Sequence, residues 1–564
     1  MLPFLNSTND NSKKYVVAFQ GLNYGEGYAD GELSDCENLS SVLFPCLTQR
    51  FGRTAAGAFT APSAMHAKEG LVVIDGTQVI YNGETVGTVS ADGRKQLATI
   101  GNYVVIFPDK VAYNVSTKEF EQMDITYAVT EAVENGEFVK HDAYWQIDEE
   151  TGEEWYEDID GNVLDWSIVQ YDEETGEYFY YTFTSDKWSA TFTDNSLTAG
   201  TKDAFRFRVG DAVTISGCQA HPENNKTVIV RGVDGNTLTF YENTFTEGKE
   251  TVPVTFSRDV PDLDYICESN YRLWGVKGNT IHGSKYGDPF NFNVFDGLTG
   301  DSYYIDVATD GPFTGCIPYS SHICFFKENT LHKLYGSKPS NFQLVTSQVY
   351  GVQEGSERSM CIINETLLYK GVNGVYAYTG GVPELISDKF GTMRFSNACA
   401  ASDGTRYYIS MQSNGKWGVY VFDVTKNLWM REDGMHCVDM ATHDGYIYLL
   451  SADGQLYKVD PEAKEDIQWS VTFCPFHETV NERKGYSRFH LRLDLEAGAW
   501  LTAEMKRDMD TRWEKIYTTH NERARTVSIP VLPARCDSVE IRLTGKGKCV
   551  LRTFIREFFA GSDV

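Results

Sequence analysis

The adjacent acidic pairs Glu153-Glu154, Glu157-Asp158 and Glu173-Glu174 are, by residue type, the groups most able to do chemistry in this chain. Two carboxylates set about 5 to 9 Å apart across a sugar can cleave a glycosidic bond. Their spacing works against that use, because neighbours on a strand point to opposite faces, and adjacent carboxylates therefore read as solvated surface. Ser413-Asn414-Gly415-Lys416-Trp417 only partly matches the Ser-x-Asp-x-Gly-x-x-Trp turn of a sialidase-type propeller. Asp158-Ile159-Asp160-Gly161 is half of a calcium loop without the further ligands and closing Glu that such a loop needs, and a hairpin turn accounts for it. His436 and His443 are the one histidine pair near metal spacing, and they fall in a strand and turn context that does not bring two imidazoles onto one ion. Trp274, Trp417 and Trp429 could line a carbohydrate groove, but core packing explains them with less. No nucleophile elbow, Walker A loop, dinucleotide fingerprint or H-E-x-x-H helix occurs. We therefore assign no catalytic, cofactor-binding or metal-binding residue, and expect a protein that is not an enzyme.

The elements that carry these residues are strands. Gly 49, Tyr 33, Phe 32 and Trp 10 against 16 Pro in 564 residues favour short aromatic strands joined by glycine turns. In the stretch Asn270 to Asp301, Tyr271 to Val276 is one strand, Gly278-Asn279 a turn, Thr280 to Ser284 a second strand, and Gly287-Asp288-Pro289 a stop. The same grammar returns around Glu328-Asn329, Asn373-Gly374, Asn414-Gly415 and Asp453-Gly454. These hairpins recur roughly every 40 to 50 residues, the period of a four-stranded propeller blade. Two more hairpins, Leu71 to Tyr81 and Tyr103 to Val115, bring the expected count to about seven blades.

The fold class read from this is all-β: a β-propeller with an inserted small β domain and a C-terminal β-sandwich. Residues 1–60 read as an irregular N-terminal arm along another surface, 61–117 as the first part of the propeller, 118–262 as an insertion of acidic hairpins and a small β-barrel, 263–465 as the second part of the propeller, and 466–564 as the sandwich. Within the insertion, residues 118–187 hold 21 Asp and Glu against 3 Lys, and Asp148-Glu149-Glu150-Thr151-Gly152-Glu153 is repeated as Asp172-Glu173-Glu174-Thr175-Gly176-Glu177. Two successive hairpins with one turn chemistry fit this best. In the last module Phe489, Leu491, Leu493 and Leu495 alternate with His490, Arg492 and Asp494, which is a strand with one buried face. Its 16 Lys and Arg against 14 Asp and Glu set it apart from a chain of net charge −29.

That net charge repels phosphates and anionic membranes, so it argues against a DNA-gripping surface. It is compatible with a passage, since DNA slides most easily past walls that do not hold it. The 12 cysteines include no C-x-x-C pair and read as reduced, buried thiols such as Cys324 and Cys361, as expected of a protein made in a reducing cytoplasm. MLPFLNSTNDNSKK lacks the order of a secretory signal, and no apolar run approaches the roughly 18 to 20 residues that span a bilayer, so no membrane insertion is expected.

Several runs resemble structural tail proteins of tailed bacteriophages. They are Asn23 with Glu32-Leu33-Ser34-Asp35-Cys36-Glu37-Asn38-Leu39-Ser40, Asp262 to Gly275, Gly287-Asp288-Pro289-Phe290-Asn291-Phe292, Phe325-Phe326-Lys327-Glu328, Tyr335 to Phe342, and the end Arg556-Glu557 with Gly561-Ser562-Asp563-Val564. The chain is similar to the tail nozzle, or packaged-DNA stabilisation (tail knob), family. That resemblance implies a virion component below the portal and its adaptor, arranged with other copies of itself in a ring. Its expected partners are the portal or adaptor and other tail proteins, with DNA passing through the lumen without specific binding, and its expected location is the phage tail after synthesis in the host cytoplasm. The competing expectation is a carbohydrate- or receptor-binding tail protein, and behind it a propeller glycosidase. The acidic hairpins of 118–187 lie outside the resembling runs.

Overall fold

A computed structural model describes residues 12–129, 133–200, 205–241, 245–478, 483–508, 510–520, 525–532 and 534–560, with 133–138, 183–188, 525 and 560 described by backbone alone. Residues 1–11 and the quoted 561–564 lie outside the described residues. The chain divides into two compact units, one of residues 1–121, 261–289 and 298–564, the other of residues 122–260 and 290–297. No α-helix occurs among the described residues.

The first unit contains a seven-bladed propeller, built as seven antiparallel four-stranded sheets. Blade 1 runs from Pro62–Ala67 to Glu84–Thr88, blade 2 from Gln96–Ile100 to Phe120–Gln122, and blade 3 from Tyr265–Ser269 to Tyr303–Asp306. Blade 4 runs from Gly315–Tyr319 to Gln343–Gln348, blade 5 from Cys361–Ile363 to Glu384–Leu385, and blade 6 from Ser396–Ser402 to Leu428–Arg431. The recurrent hairpins are the second and third strands of each blade, as with Arg272–Lys277 against Thr280–Gly283. These middle strands lie between two neighbouring blades, so both faces are covered and the sequence becomes continuously apolar. His322–Lys327, HICFFK, is buried at every position, whereas the outer strand Gln343–Gln348 of the same blade is largely exposed. Blades join through cores such as Val72, Ile74 and Val79 against Val104, Ile106 and Val111, or Phe326 and Leu331 against Leu367 and Tyr369.

Blade 7 closes the ring and corrects the reading of residues 1–60 as an arm. Its first three strands are Cys437–His443, Tyr446–Ser451 and Gln455–Asp460, and its fourth is Gly52–Ala58, paired antiparallel from Asp460↔Gly52 to Gln455↔Ala58. Arg53 anchors this strand, its guanidinium 2.7 Å from Glu432 and 2.6 Å from Asp433. GRTAAGA carries no apolar alternation, so only the partner edge makes it a strand.

The other N-terminal strands join the C-terminal sandwich. One sheet holds Leu39–Ser40, Leu47–Gln49, Cys549–Ala560, Lys484–Leu495 and Arg525–Pro530, with Ser12–Val16 also pairing Cys549–Ala560. The other holds Leu33–Glu37, Gln468–Phe473, Val539–Lys546, Trp500–Arg507 and Glu514–Thr519. Residues 19–38, which include the strand Leu33–Glu37, form a seam with blade 6. Gly21 adopts φ 78°, and a Cβ there would lie 2.6 Å from the Trp429 carbonyl, so glycine is required. Leu22 N–H donates to Trp429 O at 2.8 Å, and Arg431 lies 3.1 Å from Asp35. One hydrophobic core runs unbroken from Leu22, Leu33 and Cys36 through Phe390 and Trp429 to Phe473, Phe489 and Phe554. The sandwich is thus packed onto the propeller, not tethered to it.

The second unit holds two sheets. The eight-stranded one orders Ile125–Val129, Val254–Arg258, Ala212–Ser216, Thr227–Asp234, Thr237–Phe240, Ser196–Ala199, Ala190–Phe192 and Gly248–Glu250. The small β domain of the insertion therefore draws strands from 125–129 and 190–199, which flank the acidic hairpins in sequence, as well as from 212–258. At the end of the strand Val254–Arg258, Arg258 pairs with Asp211 at 2.7 Å with both side chains buried. The five-stranded sheet is the acidic one, in the order Val163–Leu164, Glu154–Glu157, Val133–Ile147, Glu177–Trp188 and Gln170–Asp172.

Candidate functional site

On the propeller axis the inner strands line a half-open cavity of about 440 Å³. Arg358, in the turn Glu357–Ser359 that leads into blade 5, reaches across the axis. Its Nη1 donates to Ser63 O of blade 1 at 2.8 Å and to Val438 O of blade 7 at 3.2 Å, and its Nη2 donates to Lys95 O beside blade 2 at 2.7 Å. Asp439 accepts from Met65 N–H and Met440 N–H, both at 2.9 Å, and lies 3.3 Å from Arg358 Nη1. Burial pushes the Asp439 carboxyl above its ordinary range, with the Arg358 guanidinium and the two amides opposing that shift. Glu357 Oε1 is 2.5 Å from Arg94 Nε and accepts from Gln96 at 3.0 Å. His66, against Thr99 Oγ1 at 2.7 Å, is pushed down to about 4 by burial and by Lys68.

Glu357 and Asp439 are the axial carboxylates a glycosidase reading would use. The Arg358 guanidinium stands between them, 4.0 Å from Glu357 and 3.3 Å from Asp439. A glycosidic bond flanked by two carboxyl groups needs that space empty. The network ties several blades together beside this cavity, so the propeller's own axis is a joint. None of these residues stood out in sequence. The available signal was a lone acid within an apolar inner strand, Val438-Asp439-Met440, since a charge on a buried strand needs a partner from elsewhere.

The residues singled out by type are scattered. Trp274 is buried between blades 3 and 4, its Nε1 donating to Ser269 O at 3.2 Å, and Trp429 is buried in the seam with Nε1 donating to Ile386 O at 2.8 Å. Trp417 stacks on His436 with ring centroids 3.7 Å apart, while His443 lies 3.3 Å from Asp444. No group of three or more His, Cys, Asp and Glu able to hold a metal occurs among the described residues. All twelve cysteines are free thiols, and burial pushes Cys36, Cys324 and Cys361 up to about 12. No helix among the described residues is long and apolar enough to cross a membrane.

In the acidic sheet of the second unit, Asp158 accepts from the backbone N–H groups of Asp160 and Asn162, both at 2.9 Å, which makes 158–162 an ordinary turn. The two repeated turns have one geometry. Asp148 accepts from Glu150 N–H and Thr151 N–H, Asp172 from Glu174 N–H and Thr175 N–H, with Gly152 at φ 75° and Gly176 at φ 72°. Strands Val133–Ile147 and Glu177–Trp188 are antiparallel with Ala143 opposite Tyr178, so both turns fall at the same end of the sheet. Beside them Tyr144, Trp145, Ile147 and Tyr171 are exposed, at 44 to 54%. Glu153, Glu154, Glu173 and Glu174 are exposed too.

No protein-family model matches the chain, and no curated protein is similar to it. Among solved structures it is similar to BamB from Moraxella catarrhalis, at 10% identity over 74% of this chain and 99% of that one, with a TM-score of 0.30. It is similar to Hsv2 from Kluyvelomyces marxianus at 14% identity over 37% of this chain and 64% of that one, TM-score 0.25, so it spans under two thirds of that structure. It is also similar to an exo-beta-1,3-galactanase from Phanerochaete chrysosporium at 10% identity over 50% and 92%, TM-score 0.20. Scores this low carry no argument about function, and the propeller rests on its seven sheets.

Proposed function

We propose that the chain is a structural, non-enzymatic component of a bacteriophage tail, forming with copies of itself a ring below the portal and adaptor that retains packaged DNA and surrounds its exit path. The observation that carries this reading is the set of residue runs resembling tail nozzle proteins. Those runs are spent on joints. Asn23 and Lys389 hold Glu32 at 2.8 and 2.9 Å in the seam, Arg272 donates to the carbonyls of Ser284 and Thr299, and Trp274 packs on Phe342 with centroids 5.3 Å apart. Arg556 forms a two-pronged pair with Glu478, at 2.6 and 3.0 Å, inside the sandwich. Two further features support the reading: Arg358 ties blades together across the axis, so duplex DNA would pass between copies and not through a propeller, and the chain's charge of −29 favours a passage that does not adhere.

A receptor- or carbohydrate-binding tail protein is the second reading, favoured by the exposed Trp145 and Tyr171 of the acidic sheet and Trp166 in the turn that follows Val163–Leu164. Electron microscopy of virions with this chain labelled tests the first reading, with a ring on the portal axis expected. The purified protein should not retard duplex DNA at moderate salt. Tight, salt-sensitive DNA binding, or single copies away from the portal axis, would overturn the nozzle reading and favour the second.

A further inference from the structure

We propose that the acidic, aromatic end of the five-stranded sheet docks on a second copy of this chain, at the outer face of that copy's C-terminal sandwich; the inference rests on the ring reading above. The donor surface is the pair of Asp-Glu-Glu-Thr-Gly-Glu turns at 148–153 and 172–177, four carboxylates each, next to exposed Tyr144, Trp145 and Tyr171. So much acid and aromatic surface on one sheet end is a contact surface in want of a cationic, partly apolar counterpart.

This chain carries such a counterpart. In the sandwich sheet, Lys13 and Arg488 both lie opposite Glu557, Tyr15 and His490 both lie opposite Ile555, and Arg492 lies opposite Thr553. Period two therefore puts Lys13, Tyr15, Arg488, His490 and Arg492 on one face, while Phe489, Leu491 and Phe554 fill the core on the other. Arg488 and Arg492 are exposed, Arg552 is half exposed, and Tyr15 and Val17 stand out at 54 and 59%. The carboxylates near this face are already engaged, Glu557 by Lys13 and His490 and Asp494 by Arg552. In a chain of net −29 the face is cationic with an apolar margin, complementary to the acidic turns in charge and in aromatic content. Two different patches of one chain that fit each other make a head-to-tail contact, which repeats around a closed ring. The contact also offsets the repulsion among copies of like charge.

The test is sedimentation velocity with native mass spectrometry on the full chain. Wild type should associate with rising concentration, and association should weaken as salt rises from about 50 to about 500 mM. Changing Glu149, Glu150, Glu173 and Glu174 together to Lys should weaken association at least ~10-fold, and Arg488→Glu with Arg492→Glu should do the same. An equimolar mixture of the two variants, or one chain carrying both sets, should recover it. Should the Lys variant fail to fold, Arg488→Gln with Arg492→Gln reads the contact from the other side. Association that neither reversal weakens, or that the combined chain does not recover, overturns the docking and leaves the ring reading standing. A wild type that stays monomeric in solution also overturns the docking, and labelled virions then decide the ring reading independently.

Discussion

The propeller axis and the acidic sheet use the same residue types in opposite ways. At the axis Asp439, Glu357 and Arg358 have side chains 8, 4 and 11% exposed, and the guanidinium that separates the two acids also binds three carbonyls of other blades. In the acidic sheet each repeated turn commits one aspartate oxygen to its own backbone and turns its glutamates to water. A buried charge without a partner costs several kcal/mol, whereas an exposed one costs almost nothing, so interior charges must be matched and surface charges are free to serve an assembly. Charge at the axis holds the fold, and charge on the sheet is available to something outside it.

Arg358→Met should break this comparison most. It removes the cation beside Asp439 and leaves the carbonyls of Ser63, Lys95 and Val438 without this donor, and about 3 to 5 kcal/mol should be lost in urea unfolding. A loss under about 1 kcal/mol would mean that the axis is held by other groups. Trp429→Ala removes the indole shared by blade 6 and the N-terminal seam, and should cost about 3 kcal/mol or more. Its unfolding should stay a single transition if seam and propeller share one core, while separate transitions for sandwich and propeller would refute that continuity.

Closure of the ring can be tested at Arg53. Arg53→Ala should cost about 2 to 4 kcal/mol, and a double-mutant cycle with Glu432→Gln should give a coupling of about 1 to 3 kcal/mol. A smaller effect is expected from pH. Because the folded-state pKa of His66 is depressed to about 4 from an ordinary 6.5, the unfolded chain takes up its proton first. The stability it contributes is complete above pH 6.5 and is lost as pH falls toward 4, with a slope of up to about 1.4 kcal/mol per pH unit. His66→Gln should flatten the stability profile in that window. The smallest effect belongs to the acidic sheet: Glu150→Gln or Trp145→Ser should move the unfolding free energy by under about 0.5 kcal/mol. A loss comparable with that at the axis would show the sheet to be a structural element of the monomer.

The blade hairpins, the doubled acidic turn and the alternating strand Phe489 to Leu495 were legible because each depends on residues close together in sequence. A turn such as Asn414-Gly415 sets its own register, and a one-sided strand announces itself every second residue. Closure by Gly52–Ala58, the strands Leu33–Glu37 and Leu47–Gln49 in the sandwich, and the extra strands of the small β domain were not legible, because their partners lie far along the chain and their own residues carry little pattern. Arg358 is the limiting case. Nothing local distinguishes it from a surface arginine, and its role exists only because the ring brings Ser63, Lys95 and Val438 within reach of one guanidinium. Sequence by itself determined the strands, their hairpins and the uneven charge. Which charges are buried, and which strand completes which sheet, was decided by tertiary structure, because burial and edge pairing depend on what the whole chain places opposite a residue.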